Sequence, residues 1–168
     1  MKETDTEHRI PHPPAPVSDP FKTIPGRPRN VAAMTTTTQR SRHLSIPIDR
    51  PAQEVYDYVS DPVNVPGWAP GLARSIERVD GQWVGESPMG RIVVVFTPRN
   101  EFGVLDHDVT LPSGRTVHNP MRVIADGPGC EVVFTLRRRP GMSDEEFRRD
   151  AEAVSADLTA LKRLMERS

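Results

Sequence analysis

Residues 143–167, SDEEFRRDAEAVSADLTALKRLMER, constrain the fold of this chain more than any other stretch. Phe147, Ala151, Val154, Leu158, Leu161 and Met165 recur at steps of three and four, the spacing that stacks side chains on one face of an α-helix. The remaining faces are charged. Ser143 is placed to cap the first turn, with Glu146 reaching back to it. Asp144, Glu145 and Glu146 sit at the positive end of the helix dipole, and Lys162, Arg163 and Arg167 at the negative end. A long helix with one apolar stripe needs a surface to lie on. The residues before it read as strands, so the economical answer is a curved sheet gripping the helix, an α+β arrangement.

Little else in the composition narrows function. A length of 168 residues suits one domain, and a net charge of −1 points to neither nucleic acid nor an acidic membrane surface. The single cysteine, Cys130, has no partner for an internal disulfide or a Cys-rich zinc site, which fits a reducing cytoplasm. No apolar run is long enough to span a bilayer or to form a secretory signal.

Residues 1–40 are rich in Pro, Thr and charge, and poor in large apolar side chains, so the composition predicts a disordered tail. Met34, followed by Thr35–Thr38, reads as an alternative start. The domain proper is expected over residues 41–168. His43–Ile48 alternates polar and apolar residues as a half-buried strand does. Pro51 then opens a short helix through Tyr58, with Val55, Tyr58 and Val59 turned inward. A second short helical turn precedes Pro66-Gly67-Trp68, which reads as a loop presenting a tryptophan. Strands follow at about 72–79, 82–87, 90–97, 101–111, 115–125 and 130–139, separated by turns at Asp80-Gly81, Pro112-Ser113-Gly114 and Asp126-Gly127-Pro128-Gly129. Connections this short make neighbours antiparallel, giving about seven strands before the terminal helix.

Three stretches carry a family resemblance: IPIDRPAQEVYDYVSDPVNVPGW, then EFGVLDHDV, then EVVFTLRRRPGMSDEEF leading to DLTALKRLME. Over about residues 42–167 the chain resembles the START-like superfamily (SRPBCC), whose members include polyketide cyclases and dehydratases and many lipid or hormone binders. The last two stretches resemble a bacterial subgroup described only as cyclase-like. The resemblance implies the helix-grip fold, in which a curved antiparallel sheet wraps the C-terminal helix around an internal cavity. Two short helices after the first strand partly roof that cavity.

Within 102–111, strand alternation puts Gly103, Leu105, His107, Val109 and Leu111 on one face, and Phe102, Val104, Asp106, Asp108 and Thr110 on the other. His107 is thus set among apolar side chains, either as a satisfied core histidine or as a polar point inside a ligand cavity. Gly103, on the same face, is expected to leave room beside the imidazole. Asp106-His107-Asp108 resembles a metal site in composition alone, since adjacent strand residues point to opposite faces; no metal or cofactor is expected. Asp106 and Asp108 share a face and suit an ion pair with Arg122 or another base. Around Met121, one face carries Val117, Asn119, Met121 and Val123, the other His118, Pro120, Arg122 and Ile124. Both faces mix polar and apolar groups, so periodicity does not choose between them; if Met121 points inward, Asn119 joins His107. Val94, Phe96, Val132, Phe134 and Leu136 read as strand core. In a hollow interior, Leu105, Met121 and Phe134 become walls of the cavity and Trp68 closes its mouth. The arginines at 137–139, 148 and 149 read as a solvated face balanced by Asp144–Glu146.

These residues support binding of a small, mostly hydrophobic ligand by a monomer or weak homodimer. Two alternatives stand beside that reading. One is a polyketide cyclase-like enzyme in which His107 moves a proton. The other is an interaction protein with a packed interior. No nucleophile elbow, phosphate cradle or dinucleotide fingerprint is present to suggest other chemistry.

Overall fold

A computed structural model describes residues 40–167 of the chain. The tail expected over 1–40, apart from Arg40, and the alternative start at Met34 lie outside the described residues. Strand β1 (Ser41–Ile48) is followed by helix α1 (Ala52–Val59), a single 3₁₀ turn at Pro62–Asn64 and the short helix α2 (Val65–Trp68). Seven strands come next: β2 (Ser75–Val79), β3 (Gln82–Ser87), β4 (Gly90–Phe96), β5 (His107–Thr110), β6 (Thr116–Asn119), β7 (Met121–Asp126) and β8 (Gly129–Arg137). Helix α3 (Asp144–Met165) closes the chain. All the pairings are antiparallel, in a three-stranded sheet of order β1-β8-β7 and a five-stranded sheet of order β2-β3-β4-β5-β6. The sheets wrap around α3 in the helix-grip fold.

The capping box forms as the spacing of Ser143 and Glu146 leads one to expect. Ser143 Oγ accepts from the Glu146 amide, and Glu146 Oε2 accepts from the Ser143 amide at 2.8 Å. Phe147, Ala151, Leu158, Leu161 and Met165 are buried along one face, with Val154 half-buried against the same core. At the far end, Lys162 Nζ donates to Pro47 O at 2.7 Å and the Asp49 amide donates to Glu166 Oε1 at 2.9 Å, which moors α3 to the end of β1.

Several expectations need correction. In α1 it is Tyr56, not Tyr58, that is buried with Val55 and Val59; its hydroxyl accepts from the Asn100 amide at 2.7 Å, so the ring's polar end is satisfied inside the core. Pro66-Gly67-Trp68 is helical and belongs to α2, because Pro66 in a first turn forgoes no intrahelical hydrogen bond. The strand read across 115–125 is two strands, split at Pro120, which has no N–H to continue the ladder. The strand read across 101–111 is regular only in β5, with one bridge between Val104 and Arg122 upstream of it. The total is therefore eight strands among the described residues, in two sheets. They meet around Pro120, where Leu105 N donates to Met121 O and Thr135 N donates to Pro120 O, both at 2.9 Å.

Gly103 is also not what alternation suggests. Its φ is +67°, and a Cβ there would run into the Val123 carbonyl, so this glycine serves a left-handed turn and a close backbone approach and makes no space beside His107.

Candidate functional site

Alternation puts Val117 and Asn119 of β6, and Met121 and Val123 of β7, on the inward side: His118 and Thr116 are exposed while Met121 and Val123 are buried. Asn119 lies directly opposite His107 in the β5–β6 ladder. Asp106 and Asp108 occupy the outward face, where Asp106 pairs with Arg122, and Asp108 Oδ1 lies 2.7 Å from His118 Nδ1. Burial works against the Asp106 carboxylate, but the bonds from Arg122 and the Met121 amide outweigh it and hold its pKa below the ordinary value.

Between β5, β6, β8, α2 and α3 lies a cavity of about 190 Å³. His107, Val109 and Leu111 contribute one wall, Val117 and Asn119 the next, and Phe134 and Leu136 a third. Val154, Asp157 and Leu158 of α3 face them, and Trp68, Ala69, Gly71 and Leu72 cover one side. Of the residues singled out in the sequence, Trp68, His107, Asn119 and Phe134 thus border one space. Leu105 and Met121 do not: they are buried in the core outside the cavity lining, Met121 opposite Phe134 in the β7–β8 ladder. Pro120 passes the chain from one sheet to the other, so Asn119 sits beside His107 and Met121 beside Phe134.

His107 is the one buried polar or charged residue among those described. Its Nδ1 lies 3.1 Å from Leu105 O. A carbonyl only accepts, so Nδ1 carries the proton and donates. Burial lowers the imidazole pKa, more than the bond to Leu105 raises it, so the ring is neutral near pH 7 and Nε2 is left with its lone pair. The ring is flanked by Phe96 at 5.3 Å and Phe134 at 6.2 Å between centroids.

Trp68 is 4% exposed, and its Nε1–H has no hydrogen-bond partner among the described residues. A buried donor left unpaired costs about 1–3 kcal/mol. Gly67 lets α2 approach the Tyr58 hydroxyl closely: a Cβ there would stand 3.0 Å from it.

Asp157 is not apparent as a site residue in the sequence, because it falls beside the apolar stripe of α3. It borders the cavity, and its Oδ1 accepts from the Gly71 amide at 3.2 Å, joining α3 to the segment after α2. Burial raises its carboxyl to about 6, against the Gly71 bond that favours the charged form. The signal in the sequence is its spacing, three residues from Val154 and four from Leu161, at the flank of the stripe. Arg139 and Asp150 also border the cavity and pair with each other at 3.1 Å. Arg137 borders it with no carboxylate partner among the described residues. No cluster of three His, Cys, Asp or Glu side chains that could hold a metal ion occurs among the described residues.

The raised carboxyl has a consequence for stability. The folded state binds the Asp157 proton more tightly than the unfolded chain, whose ordinary value is 3.8, so its contribution is present below that value and is lost as pH rises through about 6. Asp157→Asn keeps an acceptor for Gly71 and removes the ionisation. The variant is expected to be more stable than the wild type above pH 7 by about 1–2 kcal/mol, after allowance for solvent screening at a half-buried group, and equal to it near pH 4. His107 titrates in the opposite sense but is common to both proteins. Urea titrations at pH 4 and pH 8 measure the difference; a less stable variant at pH 8 would contradict the burial of this carboxyl.

A family model described as polyketide cyclase / dehydrase and lipid transport matches residues 34–166. No curated protein matches the chain. Among solved structures, it is similar to the protein XoxI from Bacillus cereus at 15% identity and a TM-score of 0.61, covering 76% of this chain and 96% of that one. A START superfamily protein from Mycobacterium smegmatis matches at 13% identity and a TM-score of 0.59, covering 77% and 99% respectively. The Zhui aromatase/cyclase from Streptomyces sp. R1128 matches at 16% and 0.57, covering 76% and 94%. Identities this low speak for the fold alone. The family model spans most of the chain and the whole of α3, and the chain therefore belongs to the polyketide cyclase / dehydrase and lipid transport family.

Proposed function

We propose that the protein binds a small, mostly apolar molecule in the cavity between the sheets and α3. The observation that carries this reading is a space of about 190 Å³ walled by Val109, Leu111, Val117, Phe134, Leu136 and Leu158, with His107 and Asn119 among them and the charged Arg137, Arg139, Asp150 and Asp157 also in the lining. A lining of aliphatic and aromatic side chains with a small number of placed polar groups is the usual make-up of a ligand site. An interaction protein with a filled interior is disfavoured by the same space.

Fluorobenzene followed by ¹⁹F NMR tests the reading. The wild type is expected to shift or broaden the line, and Val154→Trp, which fills the cavity from the half-buried side of α3, is expected to leave it as in buffer. An unchanged line with wild type, or equal effects with both proteins, would reject it.

Acid–base catalysis of the polyketide cyclase kind is the second reading, and a specific observation favours it. Two ionisable groups of different kind border the same space: a neutral imidazole with a free Nε2, and a carboxyl raised to about 6. A carboxyl raised to about 6 stands nearer the working pH than an ordinary one, which suits Asp157 to exchange a proton. In this reading His107 accepts a proton from the ligand and Asp157 exchanges one from the α3 side of the lining. Native mass spectrometry of protein purified from its own host would distinguish the two: a bound molecule whose mass persists on incubation supports binding, and a change in its mass supports turnover.

A further inference from the structure

If the cavity binds a ligand as proposed, on which reading this inference rests, two side chains of its lining specify the polar end of that ligand. The other polar groups there are committed or turned away. Arg139 is paired with Asp150 at 3.1 Å, and Asp157 Oδ1 accepts from the Gly71 amide at 3.2 Å. Arg137 is exposed, on the face of β8 opposite Phe134 and Leu136. Trp68 Nε1 is unpaired but also sealed, so its N–H is not presented to the space. His107 Nε2 and the side-chain amide of Asn119 remain. Neither makes a hydrogen bond among the described residues, and unlike Trp68 Nε1 neither is sealed.

Strand pairing puts these two groups together. His107 and Asn119 are directly opposite each other in the β5–β6 ladder, and both border the cavity. Cβ atoms in such a pair stand about 4.5–5.5 Å apart, so the imidazole and the amide can both reach one atom of a bound molecule. The next pair on the same face is Val109 and Val117, which makes the wall beside them apolar. The sense of the hydrogen bonds follows from the backbone. Leu105 O only accepts, so Nδ1 holds the ring proton and Nε2 can only accept in turn. Asn119 is not restricted in this way, because its amide offers either N–H or C=O.

We infer that the cavity selects an apolar molecule bearing an uncharged hydroxyl, whose O–H donates to His107 Nε2 and whose oxygen accepts from Asn119 Nδ2–H. A hydroxyl satisfies both groups at once. A ketone or an ether sets lone pair against lone pair at Nε2, and a carboxylate does so with a charge that no lining cation is free on the cavity side to neutralise. Asn119 is thereby a specificity-determining residue, acting with His107 on the same ligand atom.

The test titrates four probes against full-length protein at pH 7 and follows them by ¹⁹F NMR: fluorobenzene, 4-fluorophenol, 4-fluoroanisole and 4-fluorobenzoate. At about five-fold for each of two hydrogen bonds, 4-fluorophenol is expected to bind about 25-fold more tightly than fluorobenzene. The anisole, which can only accept, and the benzoate are expected to gain nothing over fluorobenzene. Asn119→Leu is expected to cut the phenol's advantage to about five-fold. His107→Leu, which leaves the hydroxyl proton without an acceptor, is expected to abolish it; if that variant does not fold, the four probes on the wild type and on Asn119→Leu still decide. Fluorobenzene binding as tightly as 4-fluorophenol would overturn the inference and leave the apolar site standing. An anisole or benzoate that matches the phenol would overturn the requirement for a donor, and an advantage undiminished in Asn119→Leu would overturn the role of that residue. Binding of none of the four would overturn both the inference and the reading beneath it.

Discussion

Gly103→Ala is expected to lose roughly 2–4 kcal/mol of folding free energy, while Gly127→Ala loses about 1. Both glycines have positive φ, +67° and +56°, so both substitutions meet the same backbone penalty. They differ in surroundings. A Cβ at Gly127 has nothing within 4 Å, whereas at Gly103 it collides with the Val123 carbonyl. Gly103 O also accepts from the Val123 amide at 2.9 Å, next to the Val104–Arg122 bridge. Backbone cannot rotate away as a side chain can, so relieving the collision breaks these bonds at the point where the two sheets meet. Urea titrations of the two variants give the comparison. Equal small losses would mean that the segment before β5 is not held against β7.

Leu161→Ala is the other large effect, expected at about 3–5 kcal/mol, with Leu158→Ala at about 2–3. Leu161 is 0% exposed and is enclosed by core on all sides. Leu158 is also buried, yet part of its surface borders the cavity, where there are few atoms to lose contact with. The order of the two losses therefore reports whether the space is present in solution. If Leu158→Ala proves the costlier, the interior around it is packed and the proposed site has no room.

What is legible in the sequence is local. The α3 stripe and its capping box depend on neighbours three and four residues apart, so residue spacing alone reveals both. The alternation around His107 is legible too, and it turns that ring and Val109 inward. Sites that depend on distant partners are not. Gly103 reads as empty space because the Val123 carbonyl it admits is twenty residues away. Asp157 reads as a solvent-side residue because its amide partner, Gly71, lies 86 residues earlier. Leu105 and Met121 share a face with cavity residues in the alternation, but Pro120 and the irregular segment before β5 shift them into the core, and no periodicity reports such a break.

Pro120 stands between Asn119, whose strand belongs to one sheet, and Met121, whose strand belongs to the other. A slip of one residue in either hydrogen-bond ladder stops at a residue that cannot donate, so the two ladders are set independently. The wall residues at 107, 109, 117 and 119 all belong to the five-stranded sheet, while β1 and β7, with the Met121 core, belong to the other. Exchanging side chains on that wall leaves the three-stranded frame in register, so the shape of this side of the cavity can change by substitution while the frame that holds α3 is inherited unchanged.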